Sequence, residues 1–277
     1  MRTRFAPSPT GPLHLGHAFS ALSAWDLAGG SDGFVLRIED LDSTRCRAAY
    51  EAAIYHDLAW LGLEWQRPVL RQSEHRNRYA SALSRLAGLG VTYPCRCSRA
   101  DIRAAVAAPQ EGAAAPAVYP GTCRGRPMES AAPGDATRLD LGRALALVGP
   151  LCWEESGPFA PGTQAVDPAA LAAGLGDVVL ARRDVGTAYH LAVVVDDAHQ
   201  DVTHVVRGSD LRDAAPLHRL LQALLGLPAP VWHHHRLIRD EAGRRLAKRD
   251  DARSLATLRA EGATPGMLRE LLGLDRA

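Results

Sequence analysis

The feature that most constrains the fold is the change of sequence pattern within residues 4–28. An extended segment at residues 4–6 leads into a turn rich in proline and glycine, and an amphipathic run follows from Leu15 to Ala28. This order predicts a strand, a loop and then a helix. Phe34–Ile38 alternates as a second strand, and residues 48–61 predict a second helix. Strands that alternate with helices favour an α/β fold built on a sheet with crossover connections.

The same patterns predict the remaining elements. Helices are expected at residues 73–89 and 214–225 and after Thr264, and strands at residues 178–181, 191–195, 202–206 and 232–239. A polar segment at residues 196–201 is predicted as the turn between two of these strands. Residues 91–135 break the alternation and indicate an inserted loop or small module. In sheets of this class, ligands bind at the carboxyl ends of the strands.

Length and composition indicate a globular protein. The 277 residues are 47% hydrophobic and 23% charged, which suits one domain, or one domain with an inserted module. The net charge of +1 argues against a protein that holds nucleic acid by its overall charge, but it does not exclude RNA. The first residues lack the apolar core of a signal peptide, so we expect a cytoplasmic protein with no membrane partner.

Two histidines, His14 and His17, lie where the first helix is predicted to begin. On a helix their spacing places both imidazoles on one face. The start of a helix favours phosphate groups, Gly16 lets a ligand approach the backbone, and histidines can donate hydrogen bonds to phosphate oxygens. The segment therefore indicates a candidate ATP site, with a purely structural role for the two histidines as the alternative.

Residues 4–17 resemble the HIGH-motif region of the glutamyl branch of the class I aminoacyl-tRNA synthetases. Residues 245–249 resemble the KMSKS loop of that family, but Arg245 and Ala247 replace its first lysine and its serine. The resemblance implies a Rossmann-like parallel sheet that binds ATP with Mg²⁺. The residues that it implies for catalysis and ATP binding are His14, Gly16, His17 and Lys248.

The same resemblance implies a glutamate pocket. Matched position by position, the glutamate-binding residues are Arg4, Ser8, Glu39, Tyr189 and Arg207. Glutamate carries two carboxylates and one ammonium, so Glu39 suits the ammonium and Arg207 suits a carboxylate. Tyr189 can hydrogen-bond either group while it forms a wall. Surface ion pairs or positions at strand ends remain the alternative roles of these residues.

Three cysteines form a candidate metal site. Cys95, Cys97 and Cys123 supply thiolates, and Tyr119 is the nearest candidate for a fourth ligand, although structural zinc usually takes Cys or His. The order of these residues resembles the zinc module of the glutamyl-queuosine tRNA(Asp) synthetases, which implies Zn²⁺. Buried thiols without a metal are the alternative. The histidines at 233–235 lie in a predicted strand whose residues alternate in direction, so we expect lining or structural roles for them.

The resemblance implies how the chain is organised. Residues 1–90 form the first half of the catalytic domain, 91–175 an inserted acceptor or zinc-module region, 176–250 the second half with the basic loop, and 251–277 a short helical tail. We expect the large anticodon-binding half of a discriminating glutamyl-tRNA synthetase to be absent. Motifs and length together resemble the glutamyl-queuosine tRNA(Asp) synthetases.

That resemblance implies a reaction with two steps. L-glutamate is activated by ATP to glutamyl-adenylate and is then transferred to the cyclopentenediol of queuosine at the wobble position of tRNA(Asp), whose anticodon loop enters the site. We expect a monomer. A ligase that passes glutamate to another acceptor is one alternative. A tRNA-binding paralogue without catalysis is another, and the departures at Arg245 and Ala247 favour it.

Overall fold

The computed structural model describes residues 1–98, 100–102, 118–182, 186–239 and 253–274. Lys248, the rest of the predicted basic loop and the alanine-rich stretch at 104–117 lie outside these ranges. The described strands are β1 (Thr3–Phe5), β2 (Phe34–Ile38), β3 (Gln66–Arg71), β4 (Thr92–Cys95), β5 (Ala136–Leu139), β6 (Cys152–Glu155), β7 (Gly162–Ala165), β8 (Val179–Arg182), β9 (Gly186–Thr187), β10 (His204–Gly208) and β11 (Val231–His235). The described α-helices are α1 (Leu15–Ala28), α2 (Ala48–Trp60), α3 (Arg76–Gly88), α4 (Leu141–Val148), α5 (Pro168–Gly174), α6 (Tyr189–His199), α7 (Ala215–Leu225), α8 (Leu255–Ala260) and α9 (Pro265–Leu272).

Parallel strands form the centre of the fold. β1 pairs in parallel with β2, and β2 with β3, while a second sheet has the order β10, β11, β6, β7, of which only β7 is antiparallel. The two sheets meet where the amides of Thr203 and His204 donate to the carbonyl of Arg2 at 2.9 and 3.0 Å. This arrangement confirms the predicted α/β fold with a parallel sheet, and it brings the carboxyl ends of β1, β2 and β10 to the same edge.

The first helix forms where the sequence predicts it because its ends carry strong local signals. The His14 side chain accepts a hydrogen bond from the Gly16 amide, and the His17 side chain accepts one from the His14 amide, so the two residues form a capping box. Gly29 ends the helix in the left-handed conformation, with φ of 76°. α1 and β2 therefore have the bounds that the sequence predicts.

A separate antiparallel sheet has the order β4, β5, β8, β9. It carries Cys95 at the end of β4, and Cys97 follows two residues later. β6 also lies within the predicted inserted region at 91–175, but it pairs in parallel with β11 in the central sheet. The bounds of the four predicted segments remain predictions.

The prediction for residues 191–201 is wrong. The helix α6 occupies the segment predicted as a strand and most of the predicted turn. Only Gln200, the C-cap residue, and Asp201, with φ of 52°, follow the helix within that turn. A short apolar run fits either a buried strand or a helix that is buried on all sides. Here the helix forms, and it is buried from Leu191 to Asp197.

Smaller differences affect element ends. The helix predicted at 73–89 begins as a 3₁₀ turn at Gln72–His75, β10 lies two residues later than predicted, and β11 ends at His235 rather than at 239. The last helix, α9, is capped by Thr264 as predicted, through a hydrogen bond from the Met267 amide. No helix in the described ranges is long and apolar enough to cross a membrane.

Candidate active site

A cavity of about 430 Å³ opens at the carboxyl ends of the parallel strands. Its walls come from the loop after β1, the start of α1, the residue after β2, and the ends of β10 and β11. The predicted site residues that line it are Arg4, Ser8, His14, Gly16, His17, Glu39, Tyr189 and Arg207. The structure thus brings together residues that are up to 203 positions apart in the sequence (4 to 207).

The two histidines pack against each other at the cavity wall. Their ring centroids are 3.8 Å apart, and each Nδ1 accepts a hydrogen bond from a backbone amide, of Gly16 for His14 and of His14 for His17. A neutral imidazole that accepts at Nδ1 carries its proton on Nε2. A Cβ at position 16 would lie 3.0 Å from the His14 ring, so glycine allows this close approach.

Glu39 lies just beyond β2 in a setting that opposes its ionisation. Burial raises the pKa of Glu39 to about 7, although the positive charges of Arg37 and Arg4 oppose the shift. The nearest of these charges is 3.4 Å away, from Arg37 Nη2 to Glu39 Oε1. Glu39 is therefore close to half-ionised at neutral pH, and a cation in the cavity would favour its charged form.

Arg207 projects from β10 and is held by imidazoles. Its Nε donates to His234 Nε2 at 3.0 Å, and its Nη1 donates to His218 Nδ1 at 3.1 Å. In the described part of the chain its Nη2 makes no hydrogen bond, although the atom is buried. Arg207 forms no ion pair with a described carboxylate. The charge of Asp197 acts on it from a distance, but Asp197 is paired with Arg4 and Arg37, so most of the positive charge of Arg207 is left uncompensated against the cavity.

Arg4 differs in this respect, because protein groups satisfy most of its guanidinium. Its Nε lies 3.1 Å from Asp197 Oδ1, and its Nη1 donates to the carbonyl of Val206 at 3.0 Å. Arg37 shares the same carboxylate oxygen at 2.7 Å. Asp197 therefore links β1, β2 and α6 beneath the cavity floor. Tyr189 begins α6 and packs its ring edge-on against His218, beside Arg207.

Several residues of the site are not predicted from the sequence. Asp197 falls in the segment interpreted as a turn, and no local sequence signal marks it as buried, because its partners Arg4 and Arg37 are distant in the sequence. Ser20 and Asp210 also line the cavity. The three histidines at 233–235 have different partners, since His233 contacts Ser156, His234 contacts Arg207 and Glu155, and His235 contacts Ser20 at 2.8 Å. These histidines do not converge on one point, which agrees with their alternation along a strand.

A second group of candidate ligands lies away from the cavity. The thiols of Cys95, Cys97 and Cys123 lie within 4.8 Å of one another, with 3.6 Å between the last two. The Tyr119 hydroxyl is 3.4 Å from Cys95 Sγ and 3.7 Å from Cys97 Sγ, and it accepts the Cys123 amide. Tetrahedral zinc with ordinary bond lengths separates two sulfur atoms by about 3.8 Å and sulfur from oxygen by about 3.5 Å. The three thiols could therefore hold a metal ion, and the Tyr119 hydroxyl lies close to two of them.

Comparison with known proteins gives consistent neighbours. The family described as tRNA synthetases class I (E and Q), catalytic domain, matches residues 1–137 and 165–275. The chain is 54% identical over 99% of its length to a glutamyl-Q tRNA(Asp) synthetase of Rhodobacter capsulatus, which is covered completely, and 42% identical over 97% of its length to one of Nocardia farcinica, which is covered to 82%. The crystal structure of a glutamate-tRNA synthetase from Elizabethkingia anophelis superposes with a TM-score of 0.79 at 27% identity, and the match covers 99% of this chain and 61% of that one.

Proposed function

The chain belongs to the class I tRNA synthetases of the E and Q group, and on that premise we propose that it activates L-glutamate with ATP and transfers it to queuosine in tRNA(Asp). The first product is glutamyl-adenylate. The acceptor is a hydroxyl of the cyclopentenediol at the wobble position. The reaction takes place in the cytoplasm.

The observation that carries the choice of glutamate is the uncompensated guanidinium of Arg207 in the cavity. A carboxylate that enters the cavity beside Arg207 would supply the missing negative charge. Glutamine would leave the charge uncompensated, so the site favours the acid over the amide. Glu39 completes the set, because its carboxylate suits the ammonium of the amino acid.

The protein mainly positions the reactants and stabilises charge. The α-carboxylate of glutamate attacks the α-phosphate of ATP in line, and pyrophosphate leaves. His14 and His17 present Nε2–H groups at the cavity wall, and in this proposal they donate hydrogen bonds to phosphate oxygens. Lys248, the residue that the family resemblance implies for the leaving phosphates, lies outside the described residues. Mg²⁺ accompanies ATP and neutralises part of the phosphate charge.

The acceptor is proposed from the relatives, whose printed name is glutamyl-Q tRNA(Asp) synthetase. The test supplies labelled glutamate, ATP and Mg²⁺ with purified tRNA(Asp) that carries either queuosine or guanosine at the wobble position. We expect label only on the queuosine form, and we expect it to survive removal of the 3′ end of the tRNA.

Other outcomes of this test would replace parts of the proposal. Label on tRNA(Glu), or adenylate formation with no labelled RNA, would move the activity to a ligase with another acceptor. Failure to exchange pyrophosphate with ATP in the presence of glutamate would leave a tRNA-binding paralogue without catalysis.

The pKa of Glu39 predicts how glutamate binding depends on pH. Only ionised Glu39 pairs with the ammonium of the substrate, so the KM for glutamate falls as the pH rises through the pKa of about 7. We expect the KM at pH 6 to be about tenfold higher than the plateau reached above pH 8, since about one tenth of Glu39 is ionised at pH 6. Initial rates of glutamate-dependent pyrophosphate exchange give this KM.

Glu39→Gln is the matched control for this profile. The amide does not titrate, so the KM for glutamate should be high and nearly constant from pH 6 to pH 8. A variant that keeps the wild-type profile would assign the titration to another group.

The cysteine group is proposed as a structural zinc site held by Cys95, Cys97, Tyr119 and Cys123. Elemental analysis of the purified protein should find about one zinc per chain. Cys123→Ser should lose most of this zinc and lower Tm, whereas Cys152→Ser, at an exposed thiol outside the group, should change neither. A metal-free wild type of full stability would leave buried thiols as the explanation.

A further inference from the structure

We propose that Glu155 is a positioning residue for glutamate recognition, because it sets the hydrogen-bond direction of His234 and thereby the orientation of Arg207. This inference rests on the proposed role of Arg207 in binding glutamate. Glu155 is the last residue of β6 and does not line the cavity. It is not among the site residues implied by the sequence motifs.

The contacts form a continuous path from Glu155 to the cavity. Glu155 Oε2 lies 2.5 Å from His234 Nδ1, and His234 Nε2 accepts from Arg207 Nε at 3.0 Å. Glu155 Oε1 accepts two backbone amides, from His234 at 3.0 Å and from Gly157 at 2.7 Å. Both carboxylate oxygens therefore face donors, and the side chains of Glu155 and His234 have no exposed surface.

Gly157 lies in the turn after β6, where the backbone packs closely against the Glu155 carboxylate. A Cβ at position 157 would lie 2.7 Å from Glu155 Oε1 and 2.5 Å from the carbonyl of His234. Only glycine brings the backbone amide so close to the carboxylate without displacing β11. The turn after β6 is thus shaped around the Glu155 carboxylate.

The charges of the groups agree with this hydrogen-bond order. Burial alone would raise the pKa of Glu155, but hydrogen bonds from His234 and two backbone amides lower it below the usual value. Burial and the nearby charge of Arg207 lower the pKa of His234 to about 4, so its imidazole is neutral. A neutral ring has one proton, and Glu155 holds it on Nδ1, which leaves Nε2 to accept from Arg207.

A second imidazole holds the other side of the guanidinium. Arg207 Nη1 donates to His218 Nδ1, so the proton of His218 is on Nε2, which lies 3.0 Å from His190 Nδ1. The remaining charged and titratable groups around Arg207 are Tyr189 and Asp197 on α6, and Arg4 on β1. Because its two side-chain acceptors are neutral, Arg207 is fixed in direction while its charge stays available for the substrate.

Glutamine at position 155 would preserve the shape of the side chain and replace one acceptor oxygen with an NH₂ donor. If its amide nitrogen faced His234 Nδ1, the ring proton would move to Nε2 and oppose the Nε–H group of Arg207. If the nitrogen faced the amides of His234 and Gly157, it would oppose those two donors instead. Either orientation sets donors against each other in a buried site, which is costly.

The first experiment compares Glu155→Gln with Glu154→Gln, the neighbouring exposed glutamate, which bonds to Thr163. In glutamate-dependent pyrophosphate exchange we expect Glu155→Gln to raise the KM for glutamate about tenfold. The KM for ATP should stay at the wild-type value, because His14 and His17, the proposed phosphate donors, do not contact Glu155, His234 or Arg207 in the hydrogen bonds described above. Glu154→Gln should match the wild type in both constants. A wild-type KM for glutamate, or equal increases in both KM values, would overturn the proposal.

The second experiment uses only the wild-type protein, in case the variant does not fold. Nitrogen NMR of ¹⁵N-histidine-labelled protein at pH 7, with His234 assigned through backbone correlations, should find Nδ1 protonated and Nε2 unprotonated. A His234 that is protonated on Nε2 or on both nitrogens would overturn the proposed hydrogen-bond order. Wild-type exchange activity with glutamate tests the proposed function separately, so failure of one inference can be told from failure of the other.

Discussion

Replacing Arg207 with methionine is expected to lower kcat/KM for glutamate by about thirtyfold to several thousandfold, since truncating one partner of a buried charge pair costs about 2–5 kcal/mol. Methionine has a similar length but no charge and no donors. The substrate carboxylate would then be buried without a partner. Glutamate-dependent pyrophosphate exchange, measured over a range of glutamate concentrations, gives the constant.

The same variant should lose its preference for glutamate over glutamine. The guanidinium is the group that distinguishes the acid from the amide, so its removal lowers the ratio of the two kcat/KM values toward one. Arg207→Lys keeps a charge but loses the planar set of donors that both His234 and His218 accept, so we expect an intermediate loss.

Arg219→Met is a matched control for these variants. Arg219 lies on α7 outside the cavity lining, and its Nε donates to the carbonyl of Cys152 at 2.9 Å. This variant should keep the wild-type KM for glutamate. If Arg207→Met also keeps that KM, the carboxylate is bound elsewhere and the proposed pocket is wrong.

The parts of the fold that the sequence predicts have strong local signals. α1 has a histidine capping box at one end and Gly29 at the other, and β2 alternates up to the acidic residues that follow it. Neither signal needs a distant contact. The position of Glu39 at the edge of the sheet follows directly from the end of β2.

The prediction for residues 191–201 is wrong because the contacts that decide the structure of this segment are distant in the sequence. Asp196 and Asp197 suggest a solvated turn when only their neighbours in sequence are considered. In the fold, Asp196 accepts hydrogen bonds from Gln72 and Tyr79, and Asp197 pairs with Arg4 and Arg37. Each of these partners is more than 100 residues away in the sequence. A buried charge is recognisable only once its partner is placed.

The glutamate site shows the same division. Family positions give Arg4, Glu39 and Arg207, but they do not distinguish an arginine that a carboxylate satisfies from one that keeps its charge. That distinction depends on His218 and His234, whose proton positions are set by further residues. The family resemblance therefore identifies the glutamate-binding residues, whereas long-range hydrogen bonds determine how their side chains are oriented and whether their charges are already paired.

Substitution of His17 should separate the cap of α1 from catalysis. Its Nδ1 accepts the His14 amide at 3.2 Å, while its proton is on Nε2 at the cavity wall. His17→Ala loses both functions, so we expect kcat for pyrophosphate exchange to fall by about a hundredfold to a thousandfold, as for the loss of one aligned donor. The lost cap should also lower the free energy of unfolding by about 1 kcal/mol.

Asparagine and glutamine divide these two effects. The amide of asparagine reaches about as far as Nδ1, so His17→Asn should keep the cap and the stability while kcat stays as low as in the alanine variant. The amide of glutamine reaches about as far as Nε2, and glutamine is a usual capping-box partner at this helix position. His17→Gln should therefore keep the stability and recover part of kcat. Wild-type kcat in both amide variants would mean that His17 acts only as a cap, because asparagine keeps the cap but cannot place a donor at the position of Nε2.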